Sequence, residues 1–206
     1  MIFMLTRRQI LLLPAEVAVA ARAIFAVVLA DSPFRFFHCV PGLDMQTLWE
    51  FAAPGGAPTL LVAPRLLFQL VRRIGQGPFT LFCLQALIGA VGAALCADLA
   101  RHFTRDRFSA LCAGIIYALY APFLVYEFSV LQEALLLNLI LLAVWIFYRA
   151  LPRRASSSWV LAAAVVSAFA ALGRPMALPL GILMLEKVMP EIVPEADSSA
   201  RVRLIG

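Results

Sequence analysis

The sequence predicts an all-α fold: a polytopic transmembrane helical bundle of about five to six spans, with an extracytoplasmic loop that carries short amphipathic helices. Three observations predict it. Hydrophobic residues make up 63% of the 206 residues, and Asp, Glu, Lys and Arg together only 14%, against roughly 45–50% apolar and about 25% charged in soluble domains. The apolar residues are gathered into runs close to the roughly 20 residues that carry a helix across a bilayer core about 30 Å thick. The basic residues fall in small groups between those runs, at RHFTRDR (101–107) and RALPRR (149–154), as expected where Lys and Arg gather in cytoplasmic loops. The net charge of +5 therefore reports orientation in a membrane and not a nucleic-acid partner. A chain of this length filled with spans leaves no room for a separate soluble domain.

The first span covers about residues 10–30. Arg7 and Arg8 before it resemble the basic start of a signal peptide, but Glu16 and Arg22 interrupt the apolar stretch, so a retained span is the better reading. The cost of those two charges implies a side that faces protein. The longest polar segment, residues 31–78, follows as the outer loop, with turns at PGLD (41–44) and PGGAP (54–58). Within it, residues 63–76 set Ala63, Leu66, Leu67, Leu70, Val71 and Ile74 on one helical face, and Arg65, Gln69, Arg72, Arg73 and Gln76 on the other. This is the pattern of an interfacial amphipathic helix, or of a solvated helix packed on the bundle.

The second span runs over about residues 79–100, the third over 108–126 and the fourth over 128–148. Small residues in GAVGAALCA (89–97) allow close helix contact. Pro122 should kink or end the third span, giving a tight hairpin with Glu127 at its turn. The last apolar stretch is broken at Gly173-Arg174-Pro175 into segments 159–173 and 176–189. Two short helices meeting there place Arg174 outside and the tail inside; one long kinked helix would reverse the tail. The hairpin is preferred, because Gly and Arg-Pro suit a helix interior poorly and a mid-membrane Arg is costly. Residues 1–189 thus form one membrane module, and the tail 190–206 reads as disordered. The N-terminus falls in the cytoplasm, in a protein of the bacterial cytoplasmic membrane.

Chemistry-bearing residues collect on the outer side in this topology. Asp44 caps a short helix over DMQTLWEFA, and the same carboxylate could act as a general base. Glu133, inside the fourth span, is either a neutral acid bonded between helices or a functional intramembrane acid. Glu127 at its turn is open to solvation. Arg65, Arg72, Arg73 and Arg174 lie where positive charge is scarce, suited either to lipid headgroups or to a lipid-phosphate ligand. Cys83, Cys96 and Cys112 sit in apolar segments and Cys39 in the loop, and their spacing specifies neither disulfides nor a metal site. Phosphate-cradling Gly loops, Ser/His/Asp triads and HExxH are absent from the sequence.

The order of these pieces resembles the membrane module of the GT-C glycosyltransferases, in the bacterial branch related to dolichyl-phosphate-mannose protein mannosyltransferases and lipid A aminoarabinose transferases. The resemblance covers nearly all of residues 20–186. It rests on Arg22, PGLD at 41–44, AP at 63–64, LQALIGAVGAAL at 84–95 leading to ARHF, YALYAPFLVYEFSVLQEALLL at 117–137 and AALGRPMAL at 170–178. The resemblance implies transfer of a sugar from a polyprenyl-phosphate donor to an acceptor on the extracytoplasmic face, with inversion. Asp44 would be the catalytic base, Glu127 and Glu133 would contact the acceptor or a metal, and the arginines would face the lipid phosphate. A divalent cation is the one cofactor class left open. The chain departs from the pattern at Leu48 and Trp49, where relatives often carry Tyr or His, and relatives continue into further spans. It reads as the N-terminal part of such an enzyme, with a C-terminal half or a partner subunit to complete it. A non-catalytic protein on the same scaffold and a small transporter are the alternatives.

Overall fold

The computed structural model of the protein describes residues 6–32, 46, 50, 68–71, 73–75, 78–129, 133–150, 157–173, 178–179 and 181–183. Within them every regular element is a helix. Helix α1 covers Arg7–Ala30. It starts three residues before the apolar run because Thr6 caps it reciprocally. The Thr6 Oγ1 accepts from the Gln9 N–H at 3.3 Å, and Gln9 Oε1 accepts from the Thr6 N–H at 2.8 Å. Helix α2, Pro78–Thr104, is the longest, about 40 Å at 1.5 Å per residue and enough to cross a bilayer core.

Asp106 opens α3, Arg107–Leu119, by accepting from both the backbone N–H and the hydroxyl of Ser109, at 2.7 and 2.6 Å. The helix stops at Tyr120, whose backbone is extended, and α4 restarts over Ala121–Glu127 with Pro122 in its first turn. The two axes are bent by 49°. The sequence places this break correctly. Pro122 has no N–H for the carbonyl four residues back, and its ring crowds that turn. Helices α5, Glu133–Ala150, and α6, Ser157–Gly173, complete the described fold.

By length and composition α1 and α2 can each cross a membrane, the bent pair α3 and α4 can supply a third crossing, and α6 is a shorter apolar helix. Ile24, Val27 and Phe79 are each about two-thirds exposed. Such large outward apolar residues along every long helix suit lipid and not water.

Helix α2 is central: α1, α3 and α5 pack on it, and α6 packs on α5. The expected tight hairpin between the third and fourth spans is therefore splayed. Short α4 lies against α5, while α3 packs chiefly on α1 and α2. The small-residue face of α2 is the reason. Ala90 and Ala93 meet Ala18 of α1 and Ala118 of α3 in one buried cluster, and Ala97 meets Ile10 and Ala110 in the next. A Cβ on Gly114 of α3 would come within 2.7 Å of the Pro14 ring of α1, so glycine there admits the proline.

Two sequence expectations are corrected. Arg22 is buried, but Glu16 is exposed and does not share its protein-facing side. Six residues at about 100° each put the two side chains roughly 120° apart around the helix. In the loop helix, Phe68 and Val71 are the buried residues, packed with Leu81 and Phe82, whereas Leu70 and Ile74 point outward. The segment carries two apolar stripes, one against the bundle and one free to meet lipid.

Two outcomes follow from this packing. Gly114→Val should lower stability by about 1–3 kcal/mol through collision with Pro14, read from thermal unfolding in detergent. The Ser109 hydrogen bonds, side chain first, hold the Asp106 carboxyl below the usual carboxylate value. The folded state thus gives up that proton more readily than the unfolded chain. The cap's contribution is complete above the unfolded value of about 4 and is lost as pH falls through the folded one. Acid unfolding of Asp106→Asn should show a shallower loss over that range than the wild type.

Candidate functional site: a buried arginine-glutamate pair

Arg22 of α1 and Glu127 at the end of α4 meet inside the bundle. Arg22 Nη2 donates to Glu127 Oε1 at 2.6 Å, and the two side chains are 2% and 1% exposed. Nη1 donates to the Ala18 carbonyl at 3.0 Å and to the Ala118 carbonyl at 3.4 Å. Ala118 is the residue whose carbonyl Pro122, four positions on, cannot serve. The proline that bends the chain thus leaves an acceptor for the guanidinium, and the bend swings Glu127 towards α1.

The space for the pair comes from α2. A Cβ on Gly89 would overlap Glu127 Oε1 and lie 2.5 Å from Arg22 Nη2. One turn further, a Cβ on Gly92 would collide with Asn138 Oδ1 and approach the Tyr117 hydroxyl to 2.7 Å. Tyr117 donates to Asn138 Oδ1 at 3.0 Å, and Asn138 Nδ2 donates to the Ala134 carbonyl at 2.8 Å. Two polar pairs are therefore stacked along the glycine stripe, joining α1 to α4 and α3 to α5. Gln85, a turn before Gly89, is also buried. Phe128 packs its ring 5.3 Å from Phe25 and 6.0 Å from Phe82, so aromatic rings cover the level of the pair and connect it to Phe68 and Val71 of the loop helix.

Glu127 is thus neither solvated nor at an open turn; its charge is committed to Arg22. The ion pair fixes the carboxylate in one place, which suits it to positioning. Among the described residues, Glu127 Oε2 and Arg22 Nε have no hydrogen-bond partner, leaving one acceptor and one donor of the pair open. Glu133 is the first described residue of α5. Arg73 is exposed on the loop helix. Asp44, Arg65, Arg72 and Arg174 lie outside the described residues. No group of three or more His, Cys, Asp or Glu that could hold a metal exists among the described residues.

The sequence marked Arg22 as protein-facing but gave no partner for it. It also missed Gly89, Asn138 and Tyr117 as members of the polar interior. The signal available was Pro122, whose missing N–H implies an orphan carbonyl that some donor must satisfy.

Long apolar helices around a buried ion pair define a polytopic membrane protein with a polar interior. Residues 61–189 match the family described as dolichyl-phosphate-mannose-protein mannosyltransferase. That stretch is more than half of the chain, and the protein belongs to this family of GT-C membrane glycosyltransferases. The comparisons with curated proteins and with solved structures found no match. The matched stretch holds Gly89, Glu127 and Glu133, whereas Arg22 and Asp44 precede it.

Removing one partner of a buried ion pair costs roughly 3–5 kcal/mol, because the other charge is left without compensation. Glu127→Gln should show a loss of that order in detergent unfolding. The double variant Arg22→Leu, Glu127→Leu should recover most of it, as apolar replacement of a whole pair often does. Equal losses in the single and double variants would show that the pair does not couple α1 to α4.

Proposed function

We propose that this protein transfers a sugar from a polyprenyl-phosphate donor to an acceptor hydroxyl on the extracytoplasmic face of a bacterial cytoplasmic membrane, with its N-terminus in the cytoplasm. The family match across residues 61–189 carries the reading. Asp44 in the outer loop takes the proton from the acceptor hydroxyl as its oxygen attacks the anomeric carbon. The bond from that carbon to the lipid phosphate breaks, the phosphate leaves with the electron pair, and configuration inverts. Arg65, Arg72, Arg73 and Arg174 stabilise the charge on the leaving phosphate.

The enclosure of Glu127 inside the bundle, bonded to Arg22, supports giving the base to the loop. Glu127 then acts as a positioning residue for the end of α4, and Glu133 contacts the acceptor. The Phe68 and Val71 contacts tie the loop helix to the same end of the bundle as the pair.

The test is transfer from polyprenyl-phosphate mannose labelled in the sugar, with an extract of the host's own membranes as acceptor. Wild-type protein should label the acceptor, and Asp44→Asn should reduce the rate about 10²–10⁴-fold, the usual contribution of a general base, with an unchanged melting temperature. No transfer by wild type, or undiminished transfer by Asp44→Asn, overturns the assignment.

A further inference from the structure

At the other end of α2 from the loop helix, the helix C-terminus and α5 form a half-open cavity of about 500 Å³. Asp98, Arg101, His102, Arg105, Trp145 and Arg149 line it. Measured along α2, Asp98 and Arg101 lie about 14–18 Å beyond Gly89 at 1.5 Å per residue, so the cavity is remote from the Arg22–Glu127 pair.

Its chemistry is that of an anion site. Three guanidinium groups face one carboxylate. Asp98 takes the charge of Arg149 in an ion pair and accepts from Trp145 Nε1 at 2.9 Å. The Arg149 guanidinium also lies over the Trp145 ring, 5.3 Å from its centre. This cluster fixes one wall. Arg101 and Arg105 have no acidic partner among the described residues.

Arg105 supplies a second observation. Its N–H bonds to the Arg101 carbonyl at 3.0 Å and its φ is 57°. That is the left-handed position just past a helix end, where glycine is the ordinary occupant because a Cβ is strained there. An arginine at this backbone position strains the chain while placing a guanidinium on the cavity.

The surroundings indicate where the anion comes from. Phe103 and Phe108 are 57% and 71% exposed beside the cavity end of the helices. Phe103 stacks edge-on against Tyr148, another lining residue, at 4.6 Å. Aromatic rings and arginines at the ends of apolar helices mark the headgroup level of a bilayer.

We propose that this cavity binds the phosphate of an anionic membrane lipid, through Arg101 and Arg105, at the end of the bundle away from the buried ion pair. The site is separate from the transfer reaction and does not depend on it. Arginine excess at this end assigns it to the cytoplasmic leaflet.

The purified full chain in detergent should be titrated in parallel with phosphatidylglycerol, phosphatidylcholine and inorganic phosphate, following its melting temperature and the lipid retained in native mass spectrometry. Phosphatidylglycerol should raise the melting temperature and be retained, and the other two should not. Arg105→Gly removes the charge at a position that glycine favours, so its melting temperature without lipid should be no lower than that of wild type. Its affinity for phosphatidylglycerol should fall about tenfold or more, the loss expected for one charge-assisted contact. Arg101→Gln should weaken binding to the same degree. Equal effects of phosphatidylglycerol and phosphatidylcholine, or unchanged lipid affinity in both variants, would overturn the proposal. Protection by inorganic phosphate as strong as by phosphatidylglycerol would assign the cavity to a free anion and overturn the lipid.

Discussion

An arginine set among apolar helices has very few stable environments, and the organisation of this bundle follows from the one that Arg22 occupies. Its guanidinium needs a counter-charge and acceptors for its remaining N–H groups within a medium that offers no water. Glu127 gives the charge and the Ala18 and Ala118 carbonyls give acceptors. Each provision has its own structural requirement. Glu127 reaches α1 only because the chain bends at Tyr120, Ala118 has a free carbonyl because Pro122 lacks an N–H, and both side chains fit because residue 89 has no Cβ. Alanine and glycine along α2 then follow, since a larger stripe would hold α1 and α3 too far away for the pair to close.

This explains which parts of the molecule were legible in the sequence. Element type and the break at Pro122 depend on local chemistry, and both could be read directly. The start of α1 at Arg7 needed only the Thr6 and Gln9 capping pattern. The small-residue face GAVGAALCA announced close packing but not its partners. What could not be read was which charges meet across 105 residues of chain, because that depends on how α1 and α4 cross α2. The exposure of Glu16 was within reach, since its angular distance from Arg22 is fixed by helix geometry. The Asp98–Arg149 pair was hidden for another reason: membrane orientation alone accounts for basic residues at span ends, so the pattern points to no specific partner inside the helix.

Charge is distributed over this fold at two levels, with different consequences. The interior pair is enclosed, closely bonded and joined to helices on three sides. The cluster around Asp98 and Arg149 is half-open and keeps cations beyond the one it neutralises. A rigid, charge-balanced centre and a cationic rim answer different demands: the first fixes the angle between helices, and the second leaves positive charge at the end of the bundle. In the proposed reaction the base lies in a loop, and the precision of that loop can be no better than that of the helices it joins. Phe68, Val71 and Phe128 carry the mechanical connection between the two.

Gly89 makes three positions interdependent. A side chain there is excluded for as long as Arg22 and Glu127 both remain, and once the pair is gone the same vacancy becomes an unfilled cavity that a methyl group would improve. The fitness of a residue at 89 therefore reverses sign with the identity of residues 67 positions before it and 38 after it. In a randomised library, side chains at 89 should be recovered only together with loss of the charges at 22 and 127. Such sign epistasis is a genetic signature of the contact, readable from sequence counts without any structure.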